Sequence, residues 1–594
     1  QEDGTCGCPP ELAAIRTSEG LFCGFVGDPD AMPDAGADAL SESSMGGDLP
    51  DGRTVDGGPC DEGATCRLDS NACFLGRISC SPVVACVENT PRPDGARCTT
   101  CTSVLCECER GFCVRQEVTL GAFLKGMSTL DAEGFGTSVA LSGDGSTLAV
   151  GAPGEPSSIG GINPTRDTAA SNAGAVYVFR RLAGTYVFDS TIKAPIPASG
   201  DRFGSQVSLS RTGDRLAVGV PGESGSGRGV DPVRDELVPN AGAVFVYRRD
   251  ATAWSVDAYL KASNPGADDG FGRVLLLGGD GRLLVASAVN EDGSRGGVNP
   301  TSDDDLINAG ASYLFFRDGS AWTAGPTVKA PDPGETDLFG GVVALTEDGS
   351  ELFIGAPGED TLAGGVNPPE DDLATNSGAV YHYRVIASEG TVVLEHLLKS
   401  DSPGRGHRFG SALAFSESSQ TLFVGAPEEP SSGAGINPPD RDREVFSGAV
   451  DGYVRSDTGG WTQSQFFKPL SPRETNAIGT SLSVDRSGDL LIVGDAGEAS
   501  DAALLDDTTN DDLLLSGATF LLVRDRGEWS FGPRIKAPNP GASDRFGAQV
   551  SLSEDGRIFV AGAREEDSLG SGINPSPNDD SNDSGAAYVF FMGR

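Results

Sequence analysis

Apolar residues fall in short runs separated by Gly-rich and Asp-rich turns, and the whole pattern returns with a nearly fixed period. The stretch from Phe135 to Phe179 reads FGTSVALSGDGSTLAVGAPGEPSSIGGINPTRDTAASNAGAVYVF, and near copies of it follow to the last residues. The Phe of its FG pair recurs as Phe203, Phe271, Phe339 and Phe409, is replaced by Ile478, and returns as Phe546. Seven repeats of 68 to 70 residues result. Each predicts strand a at the FG pair, a tight turn, strand b (TLAVGAP in the first copy), a long loop, strand c (AGAVYVF), and strand d running into the next FG. Four such strands make one propeller blade, so the expected fold is all-β, a seven-bladed β-propeller of four-stranded blades.

Strand d carries a Lys ten residues before each FG position: Lys125, Lys193, Lys261, Lys329, Lys399, Lys468 and Lys536. Seven residues before that Lys stands an apolar or aromatic residue: Val118, Tyr186, Trp254, Trp322, Val392, Trp461 and Trp529. The first member of each series precedes the first FG, while the last repeat stops after strand c at SGAAYVFFMGR. The strand from Val118 to Lys125 is therefore expected to complete the last blade, closing a ring and removing an exposed sheet edge. Strands b and c are nearly continuous apolar runs, as expected of sheets covered on both faces. The Gly of the GAP triplet and of AGAV (Gly174, Gly242, Gly310, Gly378, Gly448, Gly517, Gly585) is expected where backbones of adjacent blades approach.

These residues resemble the FG-GAP repeat family, which includes the seven-bladed propeller of integrin alpha subunits and many secreted bacterial proteins. The resemblance covers about residues 118 to 594, with GAP intact at Gly151–Pro153, Gly355–Pro357 and Gly425–Pro427. It departs in the third repeat, where Ser287-Ala288-Val289 replaces GAP, and in the sixth, with Ile478-Gly479 and Gly494-Asp495-Ala496. Those two blades are expected to be locally irregular. The family implies extracellular binding and adhesion, often with calcium in a DxDxDG-like loop between strands a and b. Here that place holds LSGDGSTL, LSRTGDRL, LTEDGSEL and FSESSQTL, too few oxygen ligands for a calcium loop, so Asp144-Gly145, Asp348-Gly349 and Asp555-Gly556 read as turn residues.

Cysteine changes the picture at the N-terminal side. All 13 lie between Cys6 and Cys113. The expected organisation is a short Cys-containing segment (1–26), an acidic linker (27–58), a disulfide-rich module (59–115) and the propeller (116–594). Disulfides would stabilise a segment too poor in large apolar residues to make a core, and one CxxC followed by a CxC is not a paired zinc set. Oxidising export, and so an extracellular or cell-surface location, is the expectation, with a signal peptide already removed. An odd count leaves at least one thiol free or paired with another chain.

The formal net charge is -42, from 86 acidic against 44 basic residues. Such a field repels polyanions, which excludes nucleic acid and anionic membrane as expected partners. No apolar run is long enough for a membrane span.

Two features repeat beyond packing needs. A Glu stands four residues after the first GAP residue in every repeat: Glu155, Glu223, Glu291, Glu359, Glu429, Glu498 and Glu566. Strands b and d end on the same face, so a ring of structural Lys–Glu ion pairs, formed within or between blades, is expected. The long b-to-c loop carries Gly-Ile/Val-Asn/Asp-Pro in six repeats (Asn163, Asp231, Asn299, Asn367, Asn437, Asn574), read as a fixed turn. Acids follow it: Asp167, Asp235, Asp303, Asp304, Asp305, Asp371, Asp372, Asp442, Asp579 and Asp580, with Asp506, Asp507, Asp511 and Asp512 in the sixth repeat. They make one end of the ring negative. Asp303, Asp304, Asp305, Asp371, Asp372, Asp579 and Asp580 are the candidate metal ligands, with calcium the only candidate cofactor, though solvated loop acids explain them as well.

Catalytic chemistry is sparse. The three His (His382, His396, His407) lie in or near one repeat, and there is no propeller Cys, HExxH or GxSxG. The expected function is a non-enzymatic, monomeric, exported binding or adhesion protein whose loop face recognises a protein or glycan. The alternatives are a secreted hydrolase or lyase acting on polysaccharide, favoured by asymmetric polar residues on one side of the central channel, and a structural coat protein.

Overall fold

The computed structural model describes residues 118–593 apart from 128, 252, 370, 439–445, 506–509 and 579, together with several strands in 1–117. The chain divides into two compact units, the second of which is Val118–Gly593. In the first unit Ala13–Thr17 pairs antiparallel with Gly20–Gly24, and Leu105–Glu109 pairs with both Ala96–Arg97 and Phe112–Gln116. The acidic linker and the cystine pairing expected of 59–115 lie outside the described residues.

The second unit is a seven-bladed propeller with no helix among its described residues. Blade 1 shows the plan: strand a is Ser138–Leu141, b is Thr147–Ala152, c is Ala175–Leu182 and d is Thr185–Lys193, paired antiparallel in that order. Strand b is buried at every position, because neighbouring blades cover both of its faces. The a strands of successive blades adjoin one another around the axis. Blade 7 takes a, b and c from Gln549–Leu552, Ile558–Ala563 and Ala586–Met592, and its fourth strand is Val118–Leu124. The ring is closed as the sequence pattern anticipates.

Glycine sets how close the blades come. A Cβ on Gly151 would lie 2.0 Å from the Gly204 carbonyl of blade 2, and one on Gly562 would lie 2.2 Å from the Gly136 carbonyl, so the same contact joins blade 7 to blade 1. Phe203 N–H donates to Ala173 O at 3.0 Å, tying strand a of blade 2 to the start of strand c in blade 1. Buried phenols pin the outer part: Tyr247 OH donates to Lys193 O at 3.0 Å and Tyr453 OH to Lys399 O at 2.7 Å, each reaching the preceding blade.

Two expectations need correction. Blade 3 is regular: Gly272 N–H still donates to Ser287 O at 3.0 Å, and the Ser287 hydroxyl finds a partner in Ser312 at 2.9 Å. A second serine replaces the usual apolar residue and satisfies the first. The Gly-Ile/Val-Asn-Pro motif is also more than a turn. In blades 1 to 5 its first two residues form a fifth strand, such as Gly161–Ile162, on the outer edge of strand d. Asn163, at φ 50°, accepts Thr191 N–H on its side-chain oxygen at 2.8 Å while its own N–H donates to Thr191 O at 2.8 Å. One residue thus supplies both halves of a ladder pair. Blade 7 makes the same bond from Phe123 N–H to Asn574 at 2.8 Å. Blade 6, which lacks the motif, has no fifth strand, and its strand a is bulged between Ile478 and Ser481.

Candidate functional site

Strand a begins, strand b ends and strand d ends on one face of the ring, so the Lys and Glu series arrive together there. Lys261 meets Glu223 at 2.6 Å, Lys468 meets Glu429 at 2.6 Å, and Lys125 meets Glu566 at 2.5 Å across the closure. Lys193 pairs with Glu155, Lys329 with Glu291, Lys399 with Glu359 and Lys536 with Glu498. Every pair lies within one blade, joining the end of strand d to the loop leaving strand b. Each Glu also accepts the N–H two residues on, for example Gly225 to Glu223 at 3.0 Å. Each ammonium takes a further acceptor where one is near, such as Gly174 O at 2.6 Å for Lys193 or the Ser584 hydroxyl at 2.7 Å for Lys125. Burial pulls Lys125, Lys193, Lys261, Lys399 and Lys536 below the usual lysine range, and the paired Glu opposes that fall. The pairs are buried, and the Glu291 and Glu566 carboxylates also accept from Asn264 and Asn539, which follow strand d of the preceding blade, at 3.0 and 2.9 Å.

The loop acids divide into two kinds. Asp167, Asp235, Asp303 and Asp371 each accept the N–H nine residues earlier, at 2.7, 2.7, 2.5 and 2.8 Å. Asn510 and Asn578 stand at the same place in blades 6 and 7 and accept in the same way, at 3.0 and 2.7 Å. A neutral acceptor suffices, so the oxygen matters there and the charge does not. The bonds from Ser158, Ser226 and Ser294 hold Asp167, Asp235 and Asp303 below the usual carboxylate range. Asp304, Asp305, Asp372 and Asp580 are exposed. Among the described residues no group of three or more His, Cys, Asp or Glu could hold a metal ion. Asp442, Asp506, Asp507 and Asp579 lie outside the described residues.

His382 is buried, stacked on Phe353, with its Nδ1 3.2 Å from that of His396. Burial lowers His396 and His407 from the usual histidine range.

Sequence reading missed a third series, the residue two before FG: Glu133, Asp201, Asp269, Asp337, His407, Asn476 and Asp544. The d-to-a segments GADDGFG, GETDLFG and GASDRFG carry its signal. These acids are buried, and Asp201, Asp269, Asp337 and Asp544 cap their own turn; Gly266 N–H donates to Asp269 at 2.7 Å. Burial pushes Asp201 up to about 6 and Asp269 and Asp337 up to about 7. In blade 6 the acid has moved to the GAP triplet. Asp495 is buried, pushed up to about 7, and holds Asn476 Nδ2 and Ala477 N–H at 2.7 Å each.

The face is not uniformly negative. Arg202, Arg408 and Arg545 stand immediately before strand a, and Arg564 occupies the Pro position of GAP in blade 7. A cavity of about 310 Å³ opens among Glu133, Thr137, Asn172, Arg202, Ser205 and Arg564.

With this geometry the class of protein is a closed seven-bladed propeller built from FG and GAP turns. Residues 129–179 and 529–590 match the FG-GAP repeat. No curated protein matches the chain. Among solved structures, the RRP9 WD40 repeats are similar at 10% identity over 80% of this chain and 100% of theirs, with a TM-score of 0.40. A Lactobacillus plantarum protein is similar at 14% identity over 72% of this chain and 98% of its own, TM-score 0.41. Saccharomyces cerevisiae Sqt1 is similar at 9% identity over 80% of this chain and 100% of its own, TM-score 0.38.

Proposed function

We propose that this is an exported recognition protein, extracellular or held at a cell surface, that binds a protein or glycan with the b-to-c and d-to-a loop face of its propeller. The observation that carries the reading is the exposure of apolar side chains on that face. Val233, Leu237, Leu373, Ile307, Leu514 and Phe446, in the long loops of blades 2 to 6, are 88, 75, 62, 57, 55 and 49% exposed. Large apolar groups left in water around one face mark a surface that meets a partner. The opposite face carries short Asp-Gly turns whose side chains bond their own backbone, as Asp144 does with Ser146 N–H at 2.8 Å. The Cys-rich segment supports export, since disulfides persist in oxidising compartments.

An enzyme would be favoured by asymmetric polar residues at the channel, and the cavity at blades 7, 1 and 2 is asymmetric. Its lining holds Arg202, Arg564 and one acid, the buried Glu133, whereas a glycosidase needs a carboxylate pair. We therefore assign it to binding. The test is co-sedimentation of the labelled full chain with cell envelopes and polysaccharide particles, in calcium and then in chelator. Saturable binding in both conditions is the expected outcome. Binding lost in chelator would transfer recognition to a metal-dependent site, release of soluble sugar would favour the enzyme, and absence of binding would overturn the reading.

A further inference from the structure

Asparagine stands three residues after the strand-d lysine in two repeats only, as Asn264 and Asn539; the other copies are Ser128, Ile196, Asp332, Ser402 and Ser471. Each asparagine leads into the next blade and reaches the buried glutamate there. Asn264 Nδ2 donates to Glu291 Oε1 at 3.0 Å, and Asn539 Nδ2 donates to Glu566 Oε1 at 2.9 Å. The other oxygen of each carboxylate holds that blade's lysine, Lys329 on Glu291 Oε2 and Lys125 on Glu566 Oε2. A primary amine and a primary carboxamide are thus gathered on the two oxygens of one carboxylate. The asparagine carbonyl has a donor as well: Tyr313 OH donates to Asn264 Oδ1 and Tyr588 OH to Asn539 Oδ1, each at 2.9 Å. The tyrosine position is Phe245, Asp451 or Phe520 in three other blades, and the full set of amine, carboxamide, carboxylate and phenol occurs only in blades 3 and 7.

Each member has the character that amide exchange needs. Burial favours the neutral form of a lysine, which is the nucleophile, and it pulls Lys125 below its usual range. The carboxylate touches the amine with one oxygen and the amide nitrogen, which must leave, with the other; that is the placement of a proton relay. The phenol faces the oxygen on which negative charge develops during attack. Burial raises Tyr313 and Tyr588 well above the usual phenol range, so both remain donors. Held on one carboxylate, amine and carboxamide meet without diffusion. In blade 3 a cavity of about 180 Å³, whose lining includes Asn264, Glu291 and Lys329, gives a small leaving group a way out.

We propose that the folded chain joins Lys125 to Asn539, and Lys329 to Asn264, by autocatalytic isopeptide bonds. The glutamate takes a proton from the ammonium, and the freed Nζ attacks the asparagine Cγ. The Nζ–Cγ bond forms and the Cγ–Nδ2 bond breaks. Of the three ammonium protons one stays on the new amide and two leave with the Nδ2 amino group as ammonium, so the glutamate ends as the carboxylate it began. The first bond ties the closing strand to the segment between blades 6 and 7, and the second ties blade 3 to the segment that enters it from blade 2. The glutamates of the other five blades face no asparagine, and their lysines stay as ion pairs. This chemistry is independent of what the loop face recognises.

The test is peptide mass mapping of the full chain, folded first and then reduced, denatured and digested. Branched peptides joining Lys125 to Asn539 and Lys329 to Asn264 are expected, each lighter by one ammonia than its two linear parts together. The intact chain should be lighter by two ammonias than the Asn264→Ala, Asn539→Ala double variant, once the substitutions themselves are counted. Glu566→Gln should abolish the first bond and leave the second, and Tyr588→Phe should slow the first by about a hundredfold, the loss expected for one oxyanion donor. Lys261, whose blade faces Ile196 in place of an asparagine, should be recovered unmodified. Recovery of Lys125 and Asn539 only in separate linear peptides, from a chain whose cooperative melting shows that it has folded, would overturn the first bond; the same result for Lys329 and Asn264 would overturn the second. An undiminished branched peptide in Glu566→Gln would overturn the relay. Should that variant fail to fold, an unchanged rate in Tyr588→Phe would overturn the mechanism instead.

Discussion

The Lys–Glu pairs and the cavity at blades 7, 1 and 2 are built from different positions of the same repeat, and they have opposite characters. Seven times over, a buried ammonium and a buried carboxylate satisfy each other inside one blade. At blades 7, 1 and 2 a buried carboxylate oxygen and an exposed guanidinium are left over. The difference teaches where to look in a repeat protein. Polar groups that recur in every copy complete the fold, and those that occur once and remain unsatisfied are available for something else.

The largest effect that would test this contrast is on stability alone. Lys261→Ala leaves the buried Glu223 with Arg234, at 3.4 Å, and the Tyr259 hydroxyl as its remaining side-chain partners, and breaking one partner of a buried pair costs up to about 3–5 kcal/mol. The thermal midpoint should fall, while binding to envelopes below that midpoint should persist; loss of binding with an unchanged midpoint would make the ring a ligand site. Next comes Gly219→Ala, whose new methyl would sit 2.0 Å from Gly272 O, for which overpacking suggests about 1–3 kcal/mol, again read as a lower melting temperature.

The pH response should be smaller and of defined sign. Asp201, Asp269, Asp337 and Asp495 bind protons more tightly when folded, at about 6 to 7. Their contribution is fully present below the unfolded value of about 3.8 and is lost as pH rises through the folded values. Melting temperature should therefore fall between about pH 4 and pH 7, and Asp495→Asn should flatten that slope. The smallest effect is expected for Asp303→Asn, within about 0.5 kcal/mol, because Asn510 and Asn578 already do the same work in sister blades. A large loss there, measured by denaturation, would mean that the charge of Asp303 is used.

Much of this architecture is legible in the amino-acid order because a closed ring of repeats leaves few alternatives. The position of Val118 before the first FG was enough to place a strand beside Ala586–Met592. The Lys and Glu series could be seen, but their pairing within single blades needed coordinates, since both neighbours offer a candidate partner. The fifth strand was hidden because its key bond comes from the Asn163 side chain, and Asn-Pro looks the same in a turn. Blade 3 was expected to be irregular because the missing Gly is visible at Ser287, while its compensation at Ser312 is remote in sequence. The cavity was hidden for a related reason. Reading by repeats averages over copies, and Glu133 and Arg564 are single departures in two different copies.

The closing strand has a consequence for how the molecule comes into being. Thr119 and Phe591, hydrogen-bonded in the last blade, are 472 positions apart. Translation delivers the first long before the second, so blades 1 to 6 can form in order while the opening strand waits without its sheet. Only a ribosome that has read through to the final repeat releases a chain able to shut the ring. Shortened products would be left with a bare strand at one end and an open edge at the other, exposed to proteolysis. Closure is in this sense a proofreading step, carried out by topology on the length of the chain.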